Sequence, residues 1–155
     1  MTRLKLAAAA VLALTLTAGA AAAEKVRIGM APEPYPPFAS TDASGNWVGW
    51  EIDLMWALCK SAALDCEITP VAWDGLIPAL NAGQIDAIMN SMSINDERLK
   101  VIDFTDKYYN TPTVIVAAKG AGITPDAAGL TGKILGVQVS TVHQTYAEKH
   151  FGSVV

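Results

Sequence analysis

The sequence has 155 residues, of which 52% are hydrophobic and 17% are charged, and its formal net charge is −4. This length suits a single domain, and a mean hydropathy of +0.30 excludes an intrinsically disordered chain. Without residues 1–23 the loss of Arg3 and Lys5 moves the net charge to −6. That charge excludes a basic nucleic-acid surface and a polybasic membrane anchor.

Residues 1–23 have the pattern of a secretory signal peptide. Arg3 and Lys5 precede an apolar run over 6–18, and Gly19 and four alanines follow. A membrane-spanning helix needs roughly 20 apolar residues, so this run of about 13 is too short for one. We therefore expect cleavage after Ala23 and export of the remaining chain.

The first part of the exported chain is predicted to alternate strands with helices. Val26 to Met30 alternates as a strand does, and four prolines over 32–37 favour an extended loop after it. The next predicted elements are a helix over 51–63, a strand over 66–71, a helix capped by Asp74 that ends at Ala82, and a strand over 85–89.

Export also makes the two cysteines informative. Cys59 and Cys66 lie seven residues apart, and in an oxidising compartment a disulfide between them would close a loop worth about 2–3 kcal/mol. Buried free thiols are one alternative. A metal site is the other, but the two histidines, His143 and His150, lie far away in sequence. We favour the disulfide.

The later part continues the same alternation. We predict a helix over 95–100 with Ser93 or Asn95 as its N-cap, and a loop over 120–132 with one short helical turn. The remaining elements are strands over 113–118 and 133–139 and a helix over 141–151. Together the elements predict an α/β fold with a largely parallel sheet.

In such sheets, ligands bind beyond the carboxyl ends of the strands. This rule brings Pro34–Phe38, Trp73, Asn90–Ser93 and Ser140–His143 to one candidate cleft. Arg98 follows the Ser91-Met-Ser93 segment, and hydroxyls, a helix start and a guanidinium are the parts that hold a small carboxylate. A capped helix with a solvated arginine explains the same spacing equally well.

Catalysis is disfavoured by the residues themselves. Asp103 and Asp106 resemble an acid pair, but no nucleophile accompanies them, so we expect both carboxylates to face water. The sequence has no Ser-His-Asp order, phosphate loop or metal cluster. We expect His143 and His150 to lie on the surface of the last helix.

Several motifs in order resemble the family 3 periplasmic solute-binding proteins, and most of all the lysine/arginine/ornithine- and histidine-binding receptors of ABC importers. The resemblance covers 24–155 and also places the cysteine pair where that subgroup has a disulfide. The motifs are Tyr35-Pro-Pro-Phe38, Gly49-Trp-Glu-Ile-Asp-Leu54, Trp73-Asp-Gly-Leu-Ile-Pro-Ala-Leu80, Asp86-Ala-Ile-Met-Asn-Ser-Met-Ser-Ile94, Arg98 and Phe104-Thr-Asp-Lys-Tyr108.

The resemblance implies a role for each matching residue near the centre of the chain. Arg98 would clamp the α-carboxylate of the ligand, with help from Ser93. Asn90 and Ser91 would contact its α-amino and carboxylate ends. Glu33 lies only approximately at the acidic position that reads a cationic side chain.

Four more positions are implied by the same resemblance. Tyr35 and Trp73 would sandwich the ligand side chain, and Ser140 and Thr141 would close over the carboxylate. Val142 departs from the subgroup, which commonly has a hydroxyl residue there.

The resemblance further implies a two-lobed, type II periplasmic-binding-protein-like fold of which only part is present. Residues 1–23 would be the signal peptide, 24–110 the first lobe, and 111–155 a hinge strand and the start of an incomplete second lobe. The expected function is periplasmic binding of an L-amino acid, most of all a basic one, by a monomer without cofactor, metal or nucleic acid, for an inner-membrane ABC permease. The alternatives are an enzyme on the same scaffold, of the dehydratase or cell-wall lyase type, or a truncated remnant that binds nothing.

Overall fold

The structure, a computed structural model, describes residues 25–153, so the signal peptide predicted for 1–23 lies outside the described residues. The strands are β1 (Val26–Met30), β2 (Ser40–Thr41), β3 (Trp47–Val48), β4 (Cys66–Pro70) and β5 (Ala87–Ile88). The helices are α1 (Trp50–Ser61), α2 (Leu76–Asn81), α3 (Asp96–Leu99), α4 (Ala127–Leu130) and α5 (Val142–Phe151), and a 3-10 turn, Trp73–Gly75, leads into α2. Within 25–153, no helix is long and apolar enough to cross a membrane.

The central sheet is parallel and has the order β4-β1-β5. Its register pairs Val26 with Cys66 and Ile28 with Ala87. Because all three strands run in the same direction, their carboxyl ends lie along one edge. The α/β class with a parallel sheet, expected from the alternating elements, is confirmed for this part of the chain.

The two faces of β1 contribute to separate apolar clusters. Ile28 and Met30 pack with α1 residues such as Ile52 and Met55 on one face, as the period of two along a strand requires. On the other face Gly29 lies so close to α2 and the chain before β5 that a Cβ would stand 2.3 Å from the Ile85 side chain. A larger residue at 29 would therefore force the two layers apart.

A short hairpin and a disulfide fix the two ends of α1. β2 and β3 pair antiparallel, and Gly49 then enters the helix with φ 131°, where a Cβ would lie 2.2 Å from the Phe38 carbonyl oxygen. At the far end, Cys59 and Cys66 form the predicted disulfide. The bond joins the last turn of α1 to the first residue of β4.

The strands predicted over 113–118 and 133–139 are wrong. Neither segment pairs with a neighbouring strand within residues 25–153, and both are described as extended or irregular chain. Their apolar side chains are correspondingly exposed: Val116 retains 87% of its accessible surface and Ile134 all of it. Alternating β-branched residues indicate strand propensity, but a strand forms only where a partner supplies the hydrogen bonds.

Smaller differences concern helix ends. Asp74 does not cap the second helix, because it lies within the 3-10 turn Trp73–Gly75, and the N-cap position of α2 is Gly75, with no side-chain bond. Asn95, one of the two predicted caps, does cap α3 through its side-chain oxygen. The predicted short turn within 120–132 is α4, and the predicted last helix is α5.

Candidate functional site

The candidate site lies where the carboxyl ends of the three parallel strands meet. Ala31 follows β1, Trp73 follows β4 after a short link, and Asn90 follows β5. The Asn90 side-chain oxygen accepts a hydrogen bond from the Ala31 amide at 3.0 Å. This bond ties two neighbouring strand ends together and fixes the direction in which the 90–93 segment leaves the sheet.

A cleft of about 140 Å³ opens at this edge. It is smaller than the 300–1,000 Å³ sites that hold drug-sized ligands, which favours a small metabolite. It brings together residues from both halves of the chain, lined by Ala31, Glu33, Pro34, Tyr35, Trp73, Asn90, Ser91, Ser93, Arg98, Gln138, Thr141, Val142 and His143. Seven of the eight predicted binding residues line it, and the eighth, Ser140, is bonded to two of them.

Arg98 is the principal charge of the cleft. Its guanidinium donates to the Ser93 carbonyl oxygen at 2.6 Å and to the Ser140 carbonyl oxygen at 3.0 Å, and only 9% of the residue is exposed. Burial lowers the pKa of Arg98, yet a guanidinium stays protonated in proteins. Among residues 25–153, no carboxylate forms an ion pair with it.

Trp73 and Ser140 complete the surroundings of this guanidinium. The Arg98 Cζ atom lies 5.6 Å from the centre of the Trp73 ring, within the range of a cation–π contact. The Trp73 indole N–H also donates to the Ser140 carbonyl oxygen at 3.2 Å. One backbone oxygen of the later segment thus accepts from two side chains of the earlier one.

The backbone at 140 is turned so that this contact can form. Ser140 has φ 59°, in the left-handed region, and its amide donates to Gln144 Oε1 at 2.7 Å. Thr141 then caps α5, with its hydroxyl oxygen accepting from the Gln144 amide. Ser140 and Thr141 are therefore held at the cleft by the start of α5.

Tyr35 contributes an exposed aromatic wall. Half of its surface is accessible, and its ring stacks on Phe38 with centroids 5.1 Å apart. Phe38 in turn stacks on Tyr109 at 4.8 Å. The proline-rich loop therefore presents Tyr35 to the cleft from a support of packed rings.

Ser91 is held from below by a buried carboxylate. Its backbone has φ 51°, and both its amide and its hydroxyl donate to Glu51, at 2.7 and 2.8 Å. Glu51 is 1% exposed and also accepts from the Tyr108 hydroxyl. Burial raises the pKa of Tyr108, and the hydrogen bond to Glu51 raises it further.

Sequence reasoning missed the support that Glu51 and Tyr108 give. The signal for Glu51 was present, since it lies four and eight residues before Met55 and Cys59, which are buried on the same face of α1. A charged residue in an apolar stripe indicates a buried partner. Gln138 and His143 also line the cleft. His143 belongs to the Ser140–His143 range that the strand-end rule brings there, whereas no pattern in the sequence indicates Gln138.

The predicted helix amides contribute less than expected. The helix that carries Arg98 has only four residues, Asp96–Leu99, and the Arg98 amide itself donates to the capping Asn95 side chain at 2.8 Å. The group at this place that could hold an anion is therefore the guanidinium, since so short a helix has little dipole. Asp103 and Asp106 are exposed, as expected.

A wider depression of about 380 Å³ lies beside the amino end of β4. Its one charged lining residue, Glu67, pairs on the surface with Lys25 at 3.2 Å. It has no buried charge, so the smaller cleft remains the candidate site. The residues from 25 to 153 contain no cluster of three or more metal-binding side chains.

The fold is that of solved amino-acid-binding proteins. The structure resembles an ancestral arginine-binding protein bound to arginine, with a TM-score of 0.76 and 36% identity over 81% of this chain and 55% of the other. In sequence, the profile of the bacterial extracellular solute-binding proteins, family 3, matches residues 26–150. The chain belongs to this family.

Two curated relatives have similar identities. The histidine-binding periplasmic protein of Salmonella typhimurium is 43% identical over 82% of this chain and 48% of its own length. The L-arginine-binding protein of Pseudomonas aeruginosa is 43% identical over 79% of this chain and 47% of its own length. The chain thus spans about half the length of the curated relatives it matches.

Proposed function

We propose that the chain acts in the binding component of an amino-acid ABC importer and binds a basic L-amino acid in the cleft beside Arg98. The observation that carries the proposal is the buried guanidinium, which meets only backbone carbonyls and an indole among the described residues. A buried cation without an anion is costly. A ligand carboxylate would supply the missing charge and form the bidentate contact that arginine favours.

The preference for a basic ligand rests on the rest of the cleft. Tyr35 and Trp73 offer aromatic faces, and Glu33 offers a carboxylate, at the same cavity. Aromatic faces and an acid together suit a long cationic side chain. The named ligands of the relatives, histidine and arginine, agree with this chemistry.

We further propose the arrangement in which this binding would operate. Residues 24–110 would form the first lobe and 111–155 the hinge strand and the beginning of a second lobe, with Ser140 meeting Arg98 across the cleft. A monomer in the periplasm, exported by residues 1–23, would pass its ligand to an inner-membrane permease. The periplasmic relatives support this location. The relatives named above are binding proteins, which favours binding over the enzyme alternative.

Titration calorimetry of the full chain tests the proposal. L-Arginine, L-lysine, L-histidine, L-glutamine and glycine are titrated in turn, together with agmatine, which is arginine without its carboxylate. We expect saturable binding with a preference for the cationic amino acids, and a loss of about 30-fold or more for agmatine because Arg98 then faces no anion. Absence of binding by every amino acid, or equal affinity for agmatine and arginine, would refute the proposal.

A further inference from the structure

A buried carboxylate lies directly beneath the binding loop. Glu51, in the first turn of α1, is 1% exposed and forms no ion pair within the part of the chain that the structure describes. Its charge is stabilised by neutral donors and by its place at a helix start, where the dipole favours an anion. Such a group is costly to bury, and its partners show what it holds in place.

The two oxygens of Glu51 have different partners. Oε1 accepts from the Ser91 amide at 2.7 Å and from the Tyr108 hydroxyl. Oε2 accepts from the Ser91 hydroxyl alone, at 2.8 Å. The carboxylate therefore grips Ser91 by both of its donors, while Tyr108 fixes the carboxylate from the segment that follows Phe104.

This grip determines what Ser91 can offer a ligand. A serine hydroxyl has one hydrogen and two lone pairs, and here the hydrogen points to Glu51. The Ser91 amide is also occupied, so neither donor is available to a carboxylate in the cleft. Ser91 lines the cleft and can present only its lone pairs there, which suit a donor such as an ammonium group.

We propose that Glu51 is a positioning residue that turns the Ser91 hydroxyl into an acceptor for the α-ammonium group of the ligand. The inference rests on the proposed binding of an amino acid. It gives the two ends of the ligand separate partners: the carboxylate meets Arg98, and the ammonium meets Ser91. Glu51 itself never touches the ligand.

Glu51→Gln is the sharpest variant because it alters one contact only. The amide oxygen can replace Oε1 and keep the bonds from the Ser91 amide and Tyr108. The amide NH2 then occupies the place of Oε2 and donates to the Ser91 hydroxyl oxygen. The hydroxyl hydrogen no longer points to residue 51 and can point into the cleft, so the hydroxyl becomes a donor there with almost no change of side-chain volume.

The first measurement compares two ligands by titration calorimetry: L-arginine and 5-guanidinopentanoate, which is arginine without its α-ammonium group. Hydrogen bonds to charged groups are worth more than tenfold in affinity, so the parent should prefer arginine by about tenfold or more. In Glu51→Gln and in Ser91→Ala the ratio of the affinity for L-arginine to that for 5-guanidinopentanoate should fall by about threefold to tenfold. Asp53→Asn, an exposed change on the same helix, should leave it unchanged.

A structural role alone would give a different result, because a loosened loop would weaken both ligands equally and leave their ratio unchanged. That outcome would overturn the proposal. If Glu51→Gln fails to fold, Ser91→Ala decides the same ratio, since it leaves the buried carboxylate in place.

The second measurement needs no ligand. Hydrogen exchange of the Ser91 amide in the full chain should be about tenfold faster in Glu51→Ala than in the parent, and unchanged in Asp53→Asn. Equal exchange in Glu51→Ala and the parent would overturn the positioning role. If exchange responds but the parent binds no amino acid, the proposed function fails while the grip on Ser91 stands, so the two failures are distinguishable.

Discussion

Replacement of Arg98 by alanine tests the centre of the cleft. The change removes the only buried cation of the cleft within residues 25–153 together with its bonds to the Ser93 and Ser140 carbonyl oxygens, 2.6 and 3.0 Å long. A ligand carboxylate would then face neutral groups only. Loss of one partner of a desolvated charge pair costs about 2–5 kcal/mol. We therefore expect L-arginine to bind about 30- to 5,000-fold more weakly.

Two further variants make the result specific. Arg98→Lys should recover only part of the loss, because an ammonium is a point charge and cannot reproduce the planar fork of a guanidinium. Lys100→Ala is the matched control, since its exposed side chain pairs with Glu97 on the surface. It should bind within about twofold of the parent, as surface pairs contribute little.

The assay is a dissociation constant for each variant by calorimetry, combined with a thermal melt that checks folding. If folded Arg98→Ala binds L-arginine within about threefold of the parent, which is less than 1 kcal/mol, the carboxylate clamp is wrong. The alternative of an arginine that only braces two backbone segments would then be correct.

The disulfide, one ion pair and the cleft aromatic provide the other tests. Reducing Cys59–Cys66 should lower the free energy of unfolding by about 2–3 kcal/mol; an unchanged urea midpoint would contradict this. Hydrogen bonds from Arg27 lower the pKa of Asp86 from 3.8 to about 2. The Arg27–Asp86 interaction therefore contributes to folding stability above pH 3.8, and this contribution is lost as the pH falls through 2. Stability measured across this range should fall less steeply in Asp86→Asn, and identical slopes would refute the effect. Trp73→Ala should weaken L-arginine more than glycine in calorimetry; equal losses would exclude the cation–π role.

The elements that could be predicted from the sequence are those whose partners follow from local patterns. β1 was predicted from its alternation, and the disulfide from cysteine spacing and the expected export. The strands over 113–118 and 133–139 were predicted from the same kind of alternation, but no pairing strand lies within the described residues. A periodic pattern specifies which side chains face one way, and pairing is a property of another segment.

The members of the site were predicted better than their contacts. Strand ends in a parallel sheet meet at one edge, so Trp73 and Asn90 could be placed together from topology alone. The direction of individual hydrogen bonds could not be predicted, because it depends on the backbone conformation at Ser91 and Ser140. Both residues have positive φ, which few non-glycine residues adopt and which no local pattern indicated.

The side-chain hydrogen bonds of Arg98 go to main-chain oxygens, and this determines which mutations can break them. Ser93 and Ser140 each contribute a carbonyl oxygen, which every amino acid has. Substitution of either side chain therefore leaves both carbonyl acceptors in place. The vulnerable quantity is the torsion of Ser140, at φ 59°, because a β-branched residue tolerates that region poorly. Glycine or asparagine at 140 should keep the hydrogen bond from Arg98 to the carbonyl oxygen of residue 140, whereas valine should disrupt it. The polarity of the substituted side chain would not indicate either outcome.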